Sequence, residues 1–432
     1  MIWNESRECM SRDELMNLQS KRLVKQVNNI YHNVEFYRKK MQAVGLEPGD
    51  IKGIEDLHKL PYTTKNDLRD TYPFGLLAVP RSEIVRVHAS SGTTGKATVV
   101  AYTRNDLEVW KECVGRAMTM AGITKEDTIQ IAYGYGLFTG GLGAHYGAEH
   151  IGATVVPQST GNTKKLVTMM KDFGTTALAC TPSYLLHIAE VIEQENLKDE
   201  IRLRTAVCGA EPWTEAMRHQ IEEKLGISAH DIYGLSEVMG PGVACDCEFH
   251  QGLHIAEDHF LPEIIDADTL EPIGPNQTGE LVFTTLTKEG LPLLRYRTKD
   301  LTSITYDKCE CGRTTARISR FKGRTDDMLI IRGVNVFPSQ IETALLELSG
   351  TTPHYLMIVD RVNNLDTLEV QVEVEERFFS DEIRELENLS KTIAHAIQMA
   401  IGLAVKVKLV EPSTLDRSDG KTKHVIDRRQ LI

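Results

Sequence analysis

The densest group of phosphate-binding residue types is the run Ser90-Ser91-Gly92-Thr93-Thr94-Gly95-Lys96, which lies between two β-like stretches. Backbone N–H groups and hydroxyls in such a loop can donate to phosphate oxygens, while a lysine neutralises their charge. The run is not a Walker A loop, because Ser90 stands where the first glycine belongs and Ala97 where Ser or Thr would hold magnesium. It predicts a phosphate-bearing ligand and disfavours a P-loop kinase; a plain surface turn is the alternative.

A second glycine-rich stretch, Tyr133–Gly143, alternates glycines with aromatic residues. It nearly fits a dinucleotide-binding fingerprint, but Thr139 occupies the position of the third glycine, which argues against that cofactor. Rings beside exposed backbone suit a flat organic ligand, with Tyr133, Tyr135 and Phe138 as apolar walls. Packing of the same three rings in the core is the alternative interpretation.

Two further loops, Gly209–Pro212 and Tyr233–Glu237, follow β-like runs. Ligand loops of an open parallel sheet lie at the carboxyl ends of its strands, so both loops are expected at a binding cleft. The carboxylate of Glu237 near a phosphate loop would supply an oxygen ligand to Mg²⁺, although alone it would more often be a solvated loop residue. The charged runs Arg295–Asp300 and Gly323–Asp327 are, by themselves, typical of surface salt-bridge turns.

Four of the eight cysteines form two close pairs, Cys245-x-Cys247 and Cys309-x-Cys311. Such clustering indicates a metal before it indicates a disulfide, and three thiolates with an imidazole make a closed tetrahedral set suited to structural Zn²⁺. Cys245 and His250 are spare candidates, and reduced free thiols or a disulfide are the alternatives. The predicted zinc ligands are Cys247, His254, Cys309 and Cys311.

The predicted pattern of helices and strands, which must position these residues, changes along the chain. After a helical pattern over Asp13–Leu46, short β-like runs alternate with helical ones from about residue 84, which predicts a largely parallel sheet with helices on its faces. Strands and turns then predominate, and beyond Arg324 strands and helices indicate a separate α+β domain. We therefore predict an α/β fold with a large N-terminal domain, 1–323, that includes a zinc-holding β subdomain at about 245–320, and a small C-terminal α+β domain, 324–432.

With 432 residues, 49 basic and 61 acidic side chains and a formal net charge of −12, the chain has the composition of an ordinary soluble globular protein. Net acidity argues against nucleic acid or an anionic membrane as a partner. No apolar run is long enough to span a bilayer, and the charged segment Met1–Cys9 lacks the pattern of a secretory signal. A cytoplasmic location with reduced thiols is expected.

The order of these motifs, followed by Gly420-Lys421, resembles the adenylate-forming superfamily of acyl-CoA synthetases. Within it, several stretches look like phenylacetate–CoA ligases, and the resemblance covers most of the chain from about 60 to 430. One departure is Lys96-Ala97-Thr98, where many adenylating enzymes have Pro-Lys-Gly. The stretches that carry the closer likeness are His88–Lys96, Tyr133–Glu149, Gly209–Trp213, Asp231–Ala244 and Asp326–Gln340.

The resemblance implies how ATP would be bound. The phosphate loop would hold the β- and γ-phosphates, Tyr233 would stack on adenine, and Asp300 would bind the ribose hydroxyls. Arg324 would contact the ribose or a phosphate. The residues bordering adenine, or lying in the same motif, would be Ala210, Glu211, Asp231, Tyr233, Gly234 and Ser236.

The resemblance also implies catalytic roles. Glu237 would ligate Mg²⁺, Lys421 would bridge the substrate carboxylate and the α-phosphate with Arg324 nearby, and Asp326 would be the hinge of the C-terminal domain. Neutralised charge would allow a carboxylate to attack the α-phosphate, and rotation about Asp326 would then admit a thiol. The candidate acyl-pocket residues are Tyr133, Tyr135, Phe138, Val238 and Pro241.

The implied reaction is ATP-dependent ligation of an aryl acid, with phenylacetate the first candidate, to coenzyme A through an acyl-adenylate, releasing AMP and diphosphate. The cofactors and partners are therefore ATP, Mg²⁺, coenzyme A, a small carboxylic acid and a structural Zn²⁺, with a homodimer as the expected assembly. Two alternatives stay open: adenylation of another aryl or indolyl acid with a different acceptor, and a non-catalytic, zinc-stabilised nucleotide-binding protein.

Overall fold

The helical pattern near the N-terminus forms one long helix and one short helix. Helix α2 (Arg12–Asn33) begins with a capping box between Ser11 and Glu14, and Val34 then adopts an extended conformation before α3 (Glu35–Gln42). Short elements surround this pair: α1 (Glu5–Glu8), α4 (Lys65–Asp70) and 3₁₀ turns at Pro48–Asp50, Ile54–Lys59 and Arg81–Glu83. The structure, a computed structural model, describes residues 1–90, 97–321, 323–324, 329–331, 334–348, 351–362, 365–374, 383–415 and 424–429.

A mixed sheet forms the centre of the N-terminal part. Its strand order is β13-β14-β9-β8-β7-β6-β5-β3-β4, in which the neighbours from β7 to β4 run parallel and those from β7 to β13 run antiparallel. A separate hairpin, β1 (Arg86–Ser90) and β2 (Thr98–Tyr102), precedes it. The strands of the sheet are β3 (Thr128–Ile131), β4 (Thr154–Val156), β5 (Ala177–Cys180), β6 (Thr205–Gly209), β7 (Ser228–Leu235), β8 (Gly240–Asp246), β9 (Leu253–Ile255), β13 (Ile304–Thr305) and β14 (Arg317–Ile318).

Helices cover both faces of this sheet, as the strand–helix alternation predicts. Helices α5 (Arg104–Met120) and α6 (Gly140–His150) contribute to one apolar cluster together with α2. Helices α7 (Thr163–Asp172), α8 (Pro182–Gln194) and α9 (Glu215–Leu225) contribute to a second. A 3₁₀ turn at Lys198–Glu200 follows α8. Among the described residues, no helix is both long and apolar enough to cross a membrane.

The region expected to be one β unit is divided between two sheets. Strands β9, β13 and β14 extend the central sheet, because β14 returns to pair with β9 some sixty residues earlier in the chain (Arg317 opposite His254). The other strands form an antiparallel sheet in the order β10-β11-β12-β15. They are β10 (Phe260–Ile265), β11 (Gly279–Thr285), β12 (Tyr296–Thr302) and β15 (Gly323–Arg324).

The C-terminal part has the mixed α and β composition expected for it, with an apolar cluster of its own. It contacts the rest of the molecule through α10, since Leu346 packs against the cluster formed by α7, α8 and α9. Its sheet has the order β20-β19-β18-β21. The elements are β16 (Leu329–Ile331), β17 (Val334–Val336), α10 (Pro338–Leu346), β18 (Thr351–Val362), β19 (Leu365–Val374), α11 (Ile383–Ile401), β20 (Lys406–Val410) and β21 (Val425–Asp427).

Candidate active site

The phosphate-loop motif begins at Ser90, the last residue of β1, which lies opposite Thr98 at the start of β2. Residues 91–96, the rest of the motif, lie outside the described residues. The base of the loop contacts the second glycine-rich stretch, because the backbone N–H of Ala89 donates to the carbonyl oxygen of Leu137 at 2.9 Å. The two motifs that are widely separated in the sequence therefore meet.

Three residues predicted to bind the nucleoside are joined in one polar chain. The hydroxyl of Tyr233 donates to Asp300 Oδ2 at 2.6 Å, and Arg324 Nη1 lies 3.1 Å from Asp300 Oδ1. Pairing of β12 with β15 sets Asp300 directly opposite Arg324, so two strands position this acid–base pair. Burial, and then the charge of Asp300, raise the pKa of Tyr233 well above its usual value, so the phenol keeps its proton.

The ring of Tyr233 packs against Phe321, with 4.4 Å between the ring centroids. The backbone beside it is tightly packed, because a Cβ at Gly234 would lie 1.8 Å from the carbonyl oxygen of Gly240 on β8. Only glycine fits there, and the register of β7 and β8 shifts at this point. A planar group at Tyr233 is thus fixed by an aromatic neighbour and by close strand packing.

The loop after β6 presents a carboxylate beside a helix N-terminus. Ala210 has a φ of 74°, an unusual conformation for a residue other than glycine, which turns the chain sharply between Gly209 and Glu211. Glu211 Oε1 accepts a hydrogen bond at 2.8 Å from the backbone N–H of Ser183, in the first turn of α8. On the neighbouring strand, burial and then the charge of Asp246 raise the pKa of Asp231 to about 7.

Glu237, the predicted magnesium ligand, is 7% exposed, and its Oε1 lies 3.6 Å from Lys65 Nζ. The preceding residue, Ser236, is hydrogen-bonded through its hydroxyl to that of Thr139 at 2.9 Å. A carboxylate held close to an ammonium group suits recognition of a phosphate oxygen and a divalent cation together.

The candidate acyl-pocket residues are not equivalent. The hydroxyl of Tyr133 donates to the carbonyl oxygen of Cys180 at 2.6 Å and accepts from the N–H of Gly209 at 3.0 Å, so this ring ties three strands together. Tyr135 is partly buried, and its hydroxyl pairs with His145 Nδ1 at 3.2 Å. Phe138 is 45% exposed, whereas Val238 is fully buried. The carbonyl oxygen of Pro241 accepts from Trp110 Nε1 at 3.0 Å.

The four predicted zinc ligands lie close together in the structure, although two of them are more than fifty residues from the other two in the sequence. Their ligand atoms are all within 4.8 Å of one another. Cys247 Sγ is 3.7 Å from Cys309 Sγ, and Cys311 Sγ is 3.3 Å from His254 Nε2. Hydrogen bonding from Cys247, and then from His254, lowers the pKa of the Cys311 thiol, which favours the thiolate form that a metal binds.

The structure also distinguishes the spare candidates from this cluster. Cys245 Sγ is directed to the carbonyl oxygens of Ala117 and Asp246, at 3.6 and 3.4 Å. His250 Nδ1 lies 2.8 Å from Asp246 Oδ2. His254, in contrast, pairs its Nδ1 with the hydroxyl of Thr315 at 3.1 Å, which leaves Nε2 directed at the thiols.

Two further predicted residues, Lys421 and Asp326, also lie outside the described residues. Conversely, no motif indicates Lys65 beside Glu237 or Phe321 beside Tyr233. Lys65 follows Thr64, which forms a capping box with Asp67, so the local sequence indicates a helix start and nothing more. Both neighbours depend on contacts between distant segments.

Comparison with known proteins identifies the class of protein. A family model described as "AMP-binding enzyme" matches residues 55–286, more than half of the chain. A model described as "AMP-binding enzyme C-terminal domain" matches residues 333–429. The chain therefore belongs to the adenylate-forming, AMP-binding enzyme family, as the ordered motifs predict.

Relatives place it more closely within that family. It is 50% identical to the phenylacetate-coenzyme A ligase of Thermus thermophilus, over 100% of both chains. It is 48% identical to the enzyme of the same name from Escherichia coli, with 98% of this chain and 97% of the relative covered. The chain is therefore an AMP-forming acid–CoA ligase.

A solved enzyme gives information on the arrangement of the two parts. With 2-hydroxyisobutyryl-CoA ligase in the postadenylation state, the TM-score is 0.92 at 30% identity, covering 98% of this chain and 92% of that chain. With the same enzyme in the thioesterification state, the TM-score is 0.73. The expected fold is confirmed, and the overall arrangement of the chain is more similar to that enzyme's postadenylation form than to its thioesterification form.

Proposed function

We propose that this AMP-forming acid–CoA ligase acts on phenylacetate. The carboxylate oxygen would form a bond to the α-phosphorus of ATP and diphosphate would leave; the sulfur of coenzyme A would then bond to the acyl carbon and AMP would leave. The observation that carries the choice of acid is the 48–50% identity, over nearly the whole of both chains, to four relatives named phenylacetate-coenzyme A ligase.

In this proposal, Tyr233, Asp300 and Arg324 hold the adenosine. Tyr233 offers one ring face to adenine while Phe321 supports the other, as their 4.4 Å centroid separation allows. Asp300 accepts from Tyr233 and from Arg324, so its carboxylate is oriented before the ribose hydroxyls arrive. Glu211, Ala210 and Asp231 border the purine. The hydrogen bond from Ser183 fixes the Glu211 carboxylate in this loop.

The phosphates would meet Ser90–Lys96, with Glu237 as the protein ligand of Mg²⁺. One carboxylate together with phosphate oxygens is the ligand set that this cation commonly takes, and when bound it neutralises the charge of the phosphates. Lys65 places a second positive charge 3.6 Å from Glu237. Lys421 would stabilise the charge that develops where the carboxylate joins the α-phosphate.

The acid would lie beside Tyr135, Phe138 and Pro241. Phe138 is the most exposed of the candidates, and its ring is free to cover an aryl group when the pocket fills. Tyr133 would shape the floor indirectly, because both hydrogen bonds of its hydroxyl hold strands in place. Val238, fully buried, would set the depth of the pocket.

The two half-reactions would use two arrangements of the domains 1–323 and 324–432, with Asp326 as the hinge. The TM-scores to the same solved ligase, 0.92 in one state and 0.73 in the other, support such a rotation. Withdrawal of Lys421 after adenylation would open the path for the thiol.

The experiment that tests the function is a screen of carboxylic acids for diphosphate release, with and without coenzyme A. Phenylacetate should give the highest kcat/KM, and coenzyme A should convert the adenylate to a thioester. A hydroxylated or indolyl acid preferred over phenylacetate would overturn the substrate. Diphosphate release with no thioester product would overturn the acceptor.

We also propose that Cys247, His254, Cys309 and Cys311 bind one structural Zn²⁺. Three sulfur atoms and one imidazole nitrogen, within 4.8 Å of one another, are the number and kind of ligands that a closed zinc site uses. The metal would join the end of β8, strand β9 and the turn at 309–311. Metal analysis of protein purified without chelator should give one zinc per chain. Less than about 0.2 equivalents would overturn this assignment.

A homodimer and a cytoplasmic location complete the proposal. The homodimer rests on the resemblance, and the eight free cysteines are in keeping with a reducing compartment. Sedimentation of the purified protein at micromolar concentration would test the assembly, and a monomer would contradict it.

A further inference from the structure

Asp246 lies between strand β7 and residues 247–254, which are called the zinc-ligand segment because they include the proposed ligands Cys247 and His254. It is the last residue of β8, directly before the proposed ligand Cys247, and it is 2% exposed. Strand β8 pairs with β7, the strand that carries Asp231 and Tyr233. An aspartate so fully buried must have its oxygens satisfied by the protein.

Both carboxylate oxygens of Asp246 are used. Oδ1 accepts a hydrogen bond from the backbone N–H of Asp231 at 2.9 Å, and His230 Nδ1 lies 3.3 Å from the same oxygen. Oδ2 faces His250 Nδ1 at 2.8 Å. One side chain thus contacts β7 with one oxygen and the zinc-ligand segment with the other.

The hydrogen bond from the Asp231 amide to the Asp246 side chain takes the place of a backbone hydrogen bond between β7 and β8. The backbone pairing of β7 with β8 begins with Ile232 opposite Cys245. The preceding backbone N–H of β7, that of Asp231, therefore has a side-chain partner instead of a carbonyl oxygen of β8. The hydroxyl of Ser228 pairs with His230 Nε2 at 3.0 Å, and the rings of His230 and His250 are 4.9 Å apart. The start of β7 is therefore held by this group of side chains.

We propose that Asp246 is a positioning residue for nucleotide binding, which sets β7 so that Tyr233 and Asp231 meet adenine correctly. Displacement of β7 by a fraction of an ångström would misplace Tyr233 relative to Asp300, since their 2.6 Å hydrogen bond has little tolerance. Of the candidate acyl-pocket residues, Tyr133, Tyr135 and Phe138 lie in another segment, and Val238 and Pro241 lie at the opposite end of the β7–β8 pair from Asp246, so the main effect is expected on ATP. This inference rests on the proposed function.

The test compares Asp246→Ala with Asp246→Asn in steady-state kinetics. Asp246→Ala should raise KM for ATP about tenfold, while kcat and KM for phenylacetate change less than about twofold. Asp246→Asn keeps an oxygen that can accept from the Asp231 amide, so it should restore KM for ATP to within about threefold. Asp266→Ala is the matched control, because Asp266 accepts backbone N–H bonds in a turn of the other sheet.

Hydrogen exchange supplies a readout that loss of overall stability would not imitate. Exchange should accelerate in peptides covering 228–235 in Asp246→Ala, with no change in the β18–β19 hairpin. If Asp246→Ala does not fold, Asp246→Ser serves for the same comparison. Equal increases in KM for ATP and for phenylacetate, or an unchanged KM for ATP, would overturn the inference.

Metal analysis separates this role from a second metal site. His230, Asp246 and His250 also have ligand atoms within 4.8 Å of one another. Two metal equivalents per chain, falling to one in His250→Asn, would place an ion between these side chains and overturn the direct contacts argued here. Absence of phenylacetate-dependent diphosphate release in the unsubstituted chain would instead contradict the proposed function.

Discussion

The proposed zinc-ligand cluster and the proposed adenylation site differ in how completely the fold assembles them. The cluster has its four ligand atoms within 4.8 Å, and the surrounding chain reinforces it: Arg313, fully buried beside it, pairs with Glu8 at 2.5 Å. The adenylation site has Tyr233, Asp300 and Arg324 joined to one another in the large domain and its border. Its predicted lysine, however, belongs to the C-terminal part.

The difference follows from what each group has to do. A structural metal site is most stable when its ligands are rigid, and it gains nothing from movement. Two successive reactions at one cleft require different groups near the same phosphorus and carbonyl atoms, so one part of the site has to move. This chain matches one state of a solved ligase with a TM-score of 0.92 and another state of the same ligase with a TM-score of 0.73, so those two states of that ligase differ in overall arrangement.

Lys421→Ala gives the largest expected effect, because it would remove the positive charge that we propose stabilises adenylate formation. Acyl-adenylate formation, measured by phenylacetate-dependent diphosphate release, should fall at least about a thousandfold. Thioester formation from supplied phenylacetyl-adenylate should stay within about threefold. Lys408→Ala, at an exposed position of β20, is the control. Survival of both half-reactions would remove the assigned role.

Cys309→Ser tests the rigid side of the comparison. We expect loss of the proposed zinc and a melting temperature lowered by more than about 5 °C, because this metal would join three separate segments. At 25 °C, kcat should stay within about threefold, with KM for ATP rising as in Asp246→Ala. Cys245→Ser is the matched control, since the Cys245 thiol is directed to backbone oxygens. Equal melting temperatures for wild type and Cys309→Ser would contradict a structural metal.

The sequence was most informative where chemistry depends on short spacing. The two Cys-x-Cys pairs were enough to predict the cluster, and the structure separates Cys247 from Cys245 by the direction of each side chain. Strands such as Ala177–Cys180 are buried along their whole length, which is why a short apolar run predicts them.

The sequence was least informative where a partner comes from far along the chain. The interruption between α2 and α3 at Val34 could not be predicted from a glycine or a proline, because neither residue is present there. Val34 has an extended backbone between the two packed helices. The division of residues 245–320 between two sheets depends on β14 finding β9. Asp246 and Lys65 likewise acquire roles only through neighbours that the local pattern does not reveal.

Glu342→Gln should have the smallest effect, and it probes the contact between the two parts. Glu342, on α10, is 6% exposed, and its Oε1 has no hydrogen-bond partner among the described residues. Burial, and then the charge of Glu211 in the loop after β6, raise the pKa of Glu342 to about 8 from an ordinary value of 4.5. Nearby across the same contact, His354 Nε2 lies 3.8 Å from Glu190 Oε1.

Because the folded-state pKa of Glu342 is raised, the folded protein holds this proton while the unfolded chain releases it near pH 4.5. The stability that the group contributes is therefore present below pH 4.5 and is lost as pH rises through about 8. Glutamine has no proton to lose, so Glu342→Gln should melt about 3–8 °C above wild type at pH 9, with a difference that shrinks toward pH 5. Glu347→Gln, exposed just after the same helix, should give no such trend. A difference in melting temperature that does not depend on pH would mean that the pKa of Glu342 is not raised and that its carboxyl group is ionised where the two parts meet. In that case the charge of Glu211 would already be paired with another group and would not act on Glu342.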